Sequence, residues 1–464
     1  MIRFFHTYFP ARTLFLGISE AVLVTTAFVI ATFARLGAND ANLMLHYEQG
    51  FLKISVVAVI FILCMYYFDL YDSLVLSNRR EVLTRLVQVL GTVCIMLALL
   101  YFAIPTLQLG RGIFVMGFAL VALLLFAWRR LFLVVNTMPQ FAQRTLILGD
   151  SPLAKALIGE IESRKELGIR VAAHLREIET NEQSYTSLPE AERFEALSKQ
   201  VESYRASRII VAMGERRGKL PVEALLQLKA SGVQVQDGAE VYEAITGKVP
   251  LESLRLSWLL FSPSFYVSQP LLVYKRIFSF MISLFCLIVA APIMAIAAIA
   301  IRLDSAGPII FKQKRVGERG KLFTLYKFRT MVDGADQDHN FRPAEKTDGR
   351  FTRVGVWLRR ARIDELPQLV NILRGDMYFV GPRPFVQNQE EECLAKIPYY
   401  RQRWSVKPGA TGWAQVNRGY CATIEDNTEK LAYDLFYIKN ISIGLDLLIL
   451  FKTLKTLLLS RGSR

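Results

Sequence analysis

The sequence predicts a chain of three parts: four membrane-spanning helices, an α/β domain, and a second α/β-type domain that carries a re-entrant membrane helix. Three observations support this fold class. Four apolar stretches, each close to the roughly 20 residues that cross a bilayer, occupy residues 1–140. Strands alternate with helices over 141–265, and a long apolar run opens the region 266–464.

The first part is predicted to be a four-helix transmembrane region. Arginines mark its second connection and the end of its fourth apolar stretch, whereas the first and third connections carry little positive charge. By the positive-inside rule, the N-terminus and everything after residue 135 face the cytoplasm. Glu20 lies about two turns from the cytoplasmic end of the first stretch, so we expect it to reach the interface and to have no catalytic role. The four stretches lie near residues 13–34, 51–69, 84–104 and 112–135.

The amino-acid composition indicates which kinds of molecule the chain binds. The chain is 52% hydrophobic and has a net charge of +15, which favours anionic partners. Its arginines cluster beside apolar segments, so lipid headgroups are favoured over nucleic acid, for which no recognition motif is evident. The five cysteines have no paired spacing, which argues against a disulfide framework or a zinc site.

Residues 141–265 read as a Rossmann-like domain. Four predicted strands alternate with helical stretches, which indicates a parallel sheet. The first strand–helix turn, Gly149-Asp150-Ser151-Pro152, retains one glycine of the GxGxxG pattern. The sequence therefore gives only a weak indication of a dinucleotide pocket, and a structural or regulatory role is the alternative. An NAD-dependent sugar oxidoreductase is disfavoured by this turn and by the missing YxxxK pair. The strands are RTLILGD (144–150), RVAAHL (170–175), SRIIVAM (207–213) and GVQVQD (232–237).

The run 275–302 is apolar over about 25 residues, long enough to cross a bilayer. Both of its flanks are basic, which argues against the two ends of the run lying on opposite sides of the membrane. Pro292 lies in the middle, where it removes a helix hydrogen bond. We therefore predict a re-entrant helix that breaks at Ala291 and Pro292 and returns to the same face; an ordinary fifth span is the alternative.

The chemistry is predicted to lie in 351–384, where Asp364 and Glu365 are adjacent. Apolar residues at helical spacing predict a short helix that begins near Asp364, with Pro367 in its first turn. An ordinary N-cap and first-turn acid is the alternative reading. The surrounding guanidiniums favour phosphate binding, with one carboxylate as nucleophile and its neighbour holding a divalent cation. The arginines are Arg353, Arg359, Arg360, Arg362, Arg374 and Arg383.

Six motifs in one order over roughly 190 residues resemble the bacterial sugar transferases, the monotopic polyprenyl-phosphate phosphoglycosyl transferases. The whole chain resembles the long form of that family, in which a membrane bundle and a Rossmann-like domain precede the catalytic domain. The motifs are KRIF (275–278), AGPIIFKQKRVG (306–317), FTLYKFRTM (323–331), LRRARIDELPQLVNILRGDM (358–377), VGPRP (380–384) and KPGATGWAQV (407–416).

The resemblance implies a reaction in which UDP-sugar and polyprenyl (undecaprenyl) phosphate give polyprenyl-diphosphate-sugar and UMP. It implies a covalent phospho-sugar on Asp364, with Glu365 as ligand of Mg²⁺. It also implies a re-entrant hairpin at 275–302 and a catalytic domain at the cytoplasmic face of the bacterial inner membrane. The apolar tail 441–459 is expected to lie on the membrane as an interfacial helix.

The resemblance places cationic phosphate clamps at Lys327, Arg359 and Arg383, and Arg329, on the predicted strand of Lys327, is predicted to bind substrate phosphate with them. One position departs from the family pattern: the acid expected after the opening KR is Ser279 here. We expect Asp304 to be a substitute for it.

Other points stay open at the level of sequence. Long-form relatives favour glucose or galactose over N-acetylated sugars, exopolysaccharide assembly is inferred by analogy, and a homodimer is an open alternative. Two rival functions remain. One is a metal-dependent glycosyltransferase that uses Asp336-Gln337-Asp338 as a DxD motif, and the other is a non-catalytic scaffold of an export assembly.

Overall fold

A computed structural model of the chain divides into two compact units, one formed by Met1–Ile2 with Tyr8–Val241 and the other by Arg3–Thr7 with Tyr242–Arg464. The predicted DxD motif lies outside the described residues. The structure describes residues 2–4, 7–9, 11–71, 79–138, 142–164, 167–175, 179–180, 183–184, 190–214, 216, 220–254, 268–332, 334, 349–418 and 423–458.

The N-terminal part contains four long apolar helices, each long and apolar enough to cross a bilayer. Phe28, Phe61, Val93 and Val121, one from each helix, meet in a common buried core. The first helix extends past its apolar stretch because the chain resumes helical structure after Gly37, whose φ of 79° lies in the left-handed region. The elements are strands β1 (Ile2–Phe4) and β2 (Thr7–Phe9), and helices α1 (Ala11–Tyr47), α2 (Gly50–Tyr67), α3 (Arg79–Ala103) and α4 (Arg111–Thr137), with a 3-10 turn at Pro105–Leu107.

Glu20 is buried among these helices rather than exposed at their end. Its Oε1 lies 2.7 Å from Nε of Arg129, and both side chains are almost fully buried. Arg129 also donates to the carbonyl of Leu70 at 2.8 Å. The expectation that Glu20 reaches the interface is therefore wrong, because α4 supplies its counter-ion inside the bundle.

The predicted parallel sheet is confirmed. Its strand order is β4-β3-β7-β8, with all three neighbouring pairs parallel. Ile147, Ile209 and Leu225 lie in the buried layers between the sheet and its helices. The elements are β3 (Gln143–Leu148), α5 (Pro152–Ser163), β4 (Ile169–Leu175), β5 (Glu179–Thr180), β6 (Gln183–Ser184), α6 (Glu190–Ser203), β7 (Arg208–Val211), α7 (Val222–Ala230), β8 (Gln234–Asp237) and α8 (Gly238–Thr246).

The crevice outside the carboxyl ends of β3 and β7 is the place where such sheets bind ligands. Here Ser151 Oγ donates to the carbonyl of Ala212 at 2.6 Å. A Cβ added to Gly149 would lie 2.7 Å from Cα of Met213, so the two turns are in contact. Among the described residues, the turns that would line a ligand crevice are therefore bound to each other.

The second unit is built around one long helix and two small sheets. A hairpin pairs β9 with β10, and β11 runs parallel to β12. The elements are α9 (Gln269–Asp304), β9 (Ile310–Val316), β10 (Leu322–Phe328), α10 (Arg353–Arg360), α11 (Gln368–Arg374), β11 (Tyr378–Val380), α12 (Gln387–Lys396), β12 (Gly409–Thr411), α13 (Trp413–Asn417), α14 (Ile424–Lys439) and α15 (Ile443–Leu458), with 3-10 turns at Leu251–Ser253, Glu318–Gly320, Ile363–Glu365 and Tyr400–Ser405.

Residues 242–254 pack with the second unit. Trp413 Nε1 donates to the carbonyl of Gly247 at 2.9 Å, and the amide of Val249 donates to the carbonyl of Ala432 at 3.1 Å. Val249 is buried in the same hydrophobic core as Trp413. The structure thus begins this unit at Tyr242, whereas the sequence placed its start at residue 266.

Helix α9 is continuous. Ala291 and Pro292 lie inside it, so the predicted break at these residues is corrected to a proline within an unbroken helix. A proline removes one hydrogen bond and bends a helix, but the bonds on both sides can keep the remaining turns helical. The two ends of α9 nevertheless contact the same unit: Ser279 Oγ accepts from the amide of Phe379, while Ile301 packs in a core with Leu358.

The first turns of α9 are anchored by a buried cation. Lys275 Nζ lies 2.5 Å from Asp446 Oδ2 and 2.6 Å from the hydroxyl of Tyr437. The expectation that Asp304 replaces the family acid at Ser279 is wrong, because Asp304 lies at the far end of the helix and accepts from the amide of Val354. A carboxylate near the start of α9 does exist, but helix α15 supplies it.

We expect Lys275→Met to destabilise the second unit by about 3–5 kcal/mol, since it leaves the buried Asp446 carboxylate without its cation. Thermal unfolding in detergent measures the loss. The double variant K275M/D446L removes both charges and is expected to recover most of the stability. A double variant no more stable than K275M would contradict the pairing.

Candidate active site

The two adjacent acids lie on a tight turn between two helices. Helix α10 ends at Arg360, Arg362 adopts a left-handed conformation with φ of 58°, and a 3-10 turn carries Ile363–Glu365. Residues other than glycine in this conformation are strained by roughly 1–3 kcal/mol and cluster at functional sites. The α-helix predicted to begin near Asp364 starts later, at Gln368. The turn thus presents the acids outside regular helix.

Glu365 is held by cations. Its Oε1 accepts from Nζ of Lys327 at 3.2 Å and from Nη2 of Arg383 at 2.9 Å, and its Oε2 lies 3.8 Å from Nη1 of Arg362. Burial alone would raise the pKa of Glu365, but the positive charges of Lys327, Arg383 and Arg362 outweigh it and hold that pKa well below its ordinary range. Glu365 is therefore an ionised carboxylate whose orientation is fixed.

Asp364 differs from its neighbour. Within the described part of the chain, no hydrogen bond or ion pair holds its carboxylate. Burial and the negative charge of Glu365 raise the pKa of Asp364, and the charges of Lys327, Arg359 and Arg362 oppose this only in part. A poorly solvated carboxylate without a donor is a better nucleophile than one that is already hydrogen-bonded.

Three of the four predicted cations are close to the acids. Lys327 and Arg383 contact Glu365, and the charge of Arg359 acts on Asp364 while its guanidinium stacks 4.3 Å from the ring centre of Phe351. Burial lowers the pKa of Lys327, against the opposing charge of Glu365. These three side chains therefore surround the acidic pair with positive charge.

Arg329 has other partners. Its terminal nitrogens donate to the carbonyls of Ser305 and Ala306 at 2.7 and 2.8 Å, and the residue is 5% exposed. The predicted phosphate-binding role is therefore corrected: these contacts tie the strand end to the segment after α9. On a strand end, sequence alone does not distinguish an arginine that faces a ligand from one that binds main-chain carbonyls.

Sequence reasoning gave no individual role to two further residues that shape the site. Arg362 approaches Glu365, and Arg315 adds positive charge near Lys327 while donating to the carbonyl of Pro384 at 3.0 Å. Arg362 was predicted only as one of several phosphate-binding arginines, and Arg315 only as part of the AGPIIFKQKRVG motif. Asp446 had a recognisable signal, since an acid within an apolar helix usually has a buried partner.

The acids fit a magnesium ion only as part of its ligand set. No group of three potential metal ligands occurs among the residues that the structure describes. Magnesium in phosphate-transfer sites is often held by one or two carboxylates, with substrate phosphates and water completing the octahedron. Oε2 of Glu365, which lies 3.8 Å from Nη1 of Arg362, would supply one such carboxylate oxygen.

Comparison with known proteins shows the family of the chain. Residues 271–460 match the family described as bacterial sugar transferase, and residues 66–236 match a CoA-binding domain. The uncharacterized sugar transferase EpsL of Bacillus subtilis is 40% identical over 41% of this chain and 90% of its own length. The chain belongs to the bacterial sugar transferase family.

Two larger relatives carry more specific names. A UDP-N-acetylgalactosamine-undecaprenyl-phosphate N-acetylgalactosaminephosphotransferase from Aeromonas hydrophila is 40% identical over 48% of this chain and 52% of that protein. A UDP-glucose:undecaprenyl-phosphate glucose-1-phosphate transferase from Klebsiella pneumoniae is 42% identical over 39% of each chain. The chain thus spans about half or less of the length of these relatives.

One main-chain donor at the usual ligand crevice of the sheet domain is already used. Ser151 donates to the carbonyl of Ala212 and accepts from the amide of Ala154, an N–H that would otherwise face the pyrophosphate of a coenzyme A.

We expect the raised pKa of Asp364 to be visible in carboxyl modification. A water-soluble carbodiimide with an added amine reacts with protonated carboxyls, so Asp364 should be labelled at a pH above the range of an ordinary aspartate, whose pKa is about 3.9. In Glu365→Gln the neighbouring negative charge is lost, the pKa of Asp364 falls, and its labelling should shift to lower pH. Peptide mass spectrometry measures both; an unshifted profile in E365Q contradicts the coupling.

Proposed function

We propose that this chain transfers a sugar 1-phosphate from a UDP-sugar to polyprenyl phosphate, releasing UMP and forming a polyprenyl-diphosphate-sugar. The observation that carries the proposal is the difference between the two acids. Glu365 is bound by Lys327 and Arg383, whereas the carboxylate of Asp364 is desolvated and has no hydrogen-bond or ion-pair partner among the described residues. The names of the Aeromonas and Klebsiella relatives indicate the substrate class.

The first step is attack on the donor. An Asp364 carboxylate oxygen attacks the phosphorus that carries the sugar, and the bond from that phosphorus to the bridging oxygen breaks. UMP leaves with the electron pair, and the sugar phosphate remains as an acyl phosphate on Asp364. Adjacent cations make this feasible, since Lys327 and Arg383 can neutralise charge that develops on the phosphates.

The second step returns the enzyme. A phosphate oxygen of polyprenyl phosphate attacks the same phosphorus, and the bond to Asp364 breaks, which regenerates the carboxylate. Two displacements at one phosphorus need no acid or base beyond the charges already present. A bound Mg²⁺, held by Glu365 and the phosphates, would add charge neutralisation at the leaving group.

Glu365 also affects how the neighbouring cations are held together. Lys327, Arg362 and Arg383 would repel one another without an anion between them, and Glu365 supplies that anion. An incoming diphosphate can then take over hydrogen bonds that the cations make to Glu365. It does not have to bring the cations together itself. This keeps the clamp ordered before the donor binds.

The long helix supports a catalytic unit on one side of the membrane. Lys275 and Ile301 contact the same unit although, in a straight helix, they would be about 39 Å apart, more than the hydrocarbon thickness of about 30 Å. A perpendicular crossing would separate two parts of one packed unit. We therefore propose that α9, bent at Pro292, enters and leaves at the cytoplasmic face of the bacterial inner membrane. The preceding apolar helices and the basic flanks of α9 support this side of the membrane.

Asp364→Asn should abolish UMP release by the purified full-length protein, because an amide cannot form the acyl phosphate. The assay combines polyprenyl phosphate and Mg²⁺ with UDP-glucose, UDP-galactose and their N-acetylated counterparts. Glu391→Gln on the exposed face of α12 is the matched control and should retain activity. Retained UMP release in D364N, or release of UDP by the wild type, contradicts the proposal.

The topology has its own test. A single cysteine at position 464 should react with a membrane-impermeant maleimide only after the cells are permeabilised. Thr106→Cys, in the exposed turn between α3 and α4, should react in intact cells because the preceding spans place it outside. Labelling of position 464 in intact cells excludes the re-entrant arrangement.

A further inference from the structure

The loop that carries Arg383 is held through its main chain. The carbonyl of Val380 accepts from Lys275 at 3.3 Å and from the hydroxyl of Tyr437 at 3.2 Å. The carbonyl of Pro382 accepts from the amide of Gly409 at 2.9 Å. Hydrogen bonds therefore fix the loop on the side that precedes Arg383.

Arg403 holds the central residue of this loop. Its Nη2 donates to the carbonyl of Arg383, in a contact between two arginines that only a main-chain acceptor permits. The next carbonyl, of Pro384, accepts from Arg315. Side chains from four separate segments thus fix the backbone from which the Arg383 guanidinium reaches Glu365 at 2.9 Å.

Arg403 is itself enclosed by polar partners. It is 5% exposed, and its Nε donates to Asp434 at 2.7 Å while Nη1 donates to the hydroxyl of Tyr400 at 2.9 Å and to Glu390 at 3.3 Å. Its guanidinium lies 4.2 Å from the ring centre of Phe385. The Nε, Nη1 and Nη2 atoms and one face of the guanidinium therefore all have partners, and these contacts fix its orientation.

Such a cluster is a poor device for stability alone. Desolvation offsets most of the attraction between buried charges, and well-packed apolar residues often serve as well. What apolar residues cannot supply is a rigid donor to the carbonyl of Arg383. Lysine is also an incomplete replacement, since one ammonium cannot keep the planar set of directions that a guanidinium offers.

We propose that Arg403 is a positioning residue for the sugar-phosphate transfer: it holds the main chain of Arg383 so that the guanidinium of that residue stays at Glu365. The inference rests on the proposed function. It assigns to Arg403 no contact with substrate, only the placement of a side chain that makes one.

A kinetic cycle tests this. Arg403→Lys should lower kcat for UMP release by about tenfold to a hundredfold, the scale of a displacement of about 1 Å, with little change in KM for the UDP-sugar. Because Arg403 acts through Arg383, R403K should cost little more activity in an R383A background. Arg401→Ala, an exposed position on the same 3-10 turn, should leave the kinetics unchanged. Independent, multiplying losses in the double variant overturn the proposal, as does wild-type kcat in R403K.

Hydrogen exchange provides a readout that needs no activity. In R403K without substrate, amides of the peptide 378–386 should exchange faster, while those of the β9–β10 hairpin should not change. If R403K does not fold, R403M/D434L, which removes both charges of the closest pair, is measured in the same way. Unchanged exchange in the loop overturns the positioning role. If the wild type releases no UMP but the loop of R403K exchanges faster, the proposed function is refuted. The role of Arg403 in holding the Arg383 loop is then still supported.

Discussion

The unequal bonding of two neighbouring carboxylates is the constraint on which the site depends. Glu365 compensates the charges of Lys327, Arg362 and Arg383, so the cations stay together when no phosphate is bound. Because those donors are taken, the carboxylate of Asp364 meets no competing partner in the described part of the site. Adjacent residues of similar chemistry thus differ through their surroundings: Glu365 is the counter-ion of the cations, and Asp364 is the residue that we propose as the nucleophile.

Much of the basic character of the second unit has an internal use. Arg276 donates to the carbonyls of Ile372 and Leu373 at the end of α11, and Arg329 and Arg403 bind other main-chain carbonyls. Lys275 joins the start of α9 to the strand before the Arg383 loop. In this small, loop-rich site, hydrogen bonds from these cations to main-chain carbonyls hold segments that lie outside helices and strands. The acids that pair with the cations are buried with them.

Sequence patterns were sufficient for the parts that depend on local chemistry. The apolar helices of the N-terminal part and the parallel sheet follow from hydrophobic length and from periodicity. Patterns were insufficient where a partner is distant in the chain. Asp446 lies 171 positions from Lys275, and Arg329 has the same appearance in sequence whether it faces phosphate or carbonyls. Pro292 shows a related limit: a residue that weakens a helix predicts a bend or an end, and neighbouring turns decide which.

Mass spectrometry of the protein incubated with a UDP-sugar and Mg²⁺, but without polyprenyl phosphate, tests the central claim most directly. If Asp364 forms the proposed covalent intermediate, a sugar-phosphate adduct is expected on the peptide that contains Asp364, formed together with UMP and discharged when polyprenyl phosphate is added. UMP that forms only when both substrates are present, with no adduct at Asp364 under rapid quenching, would contradict it.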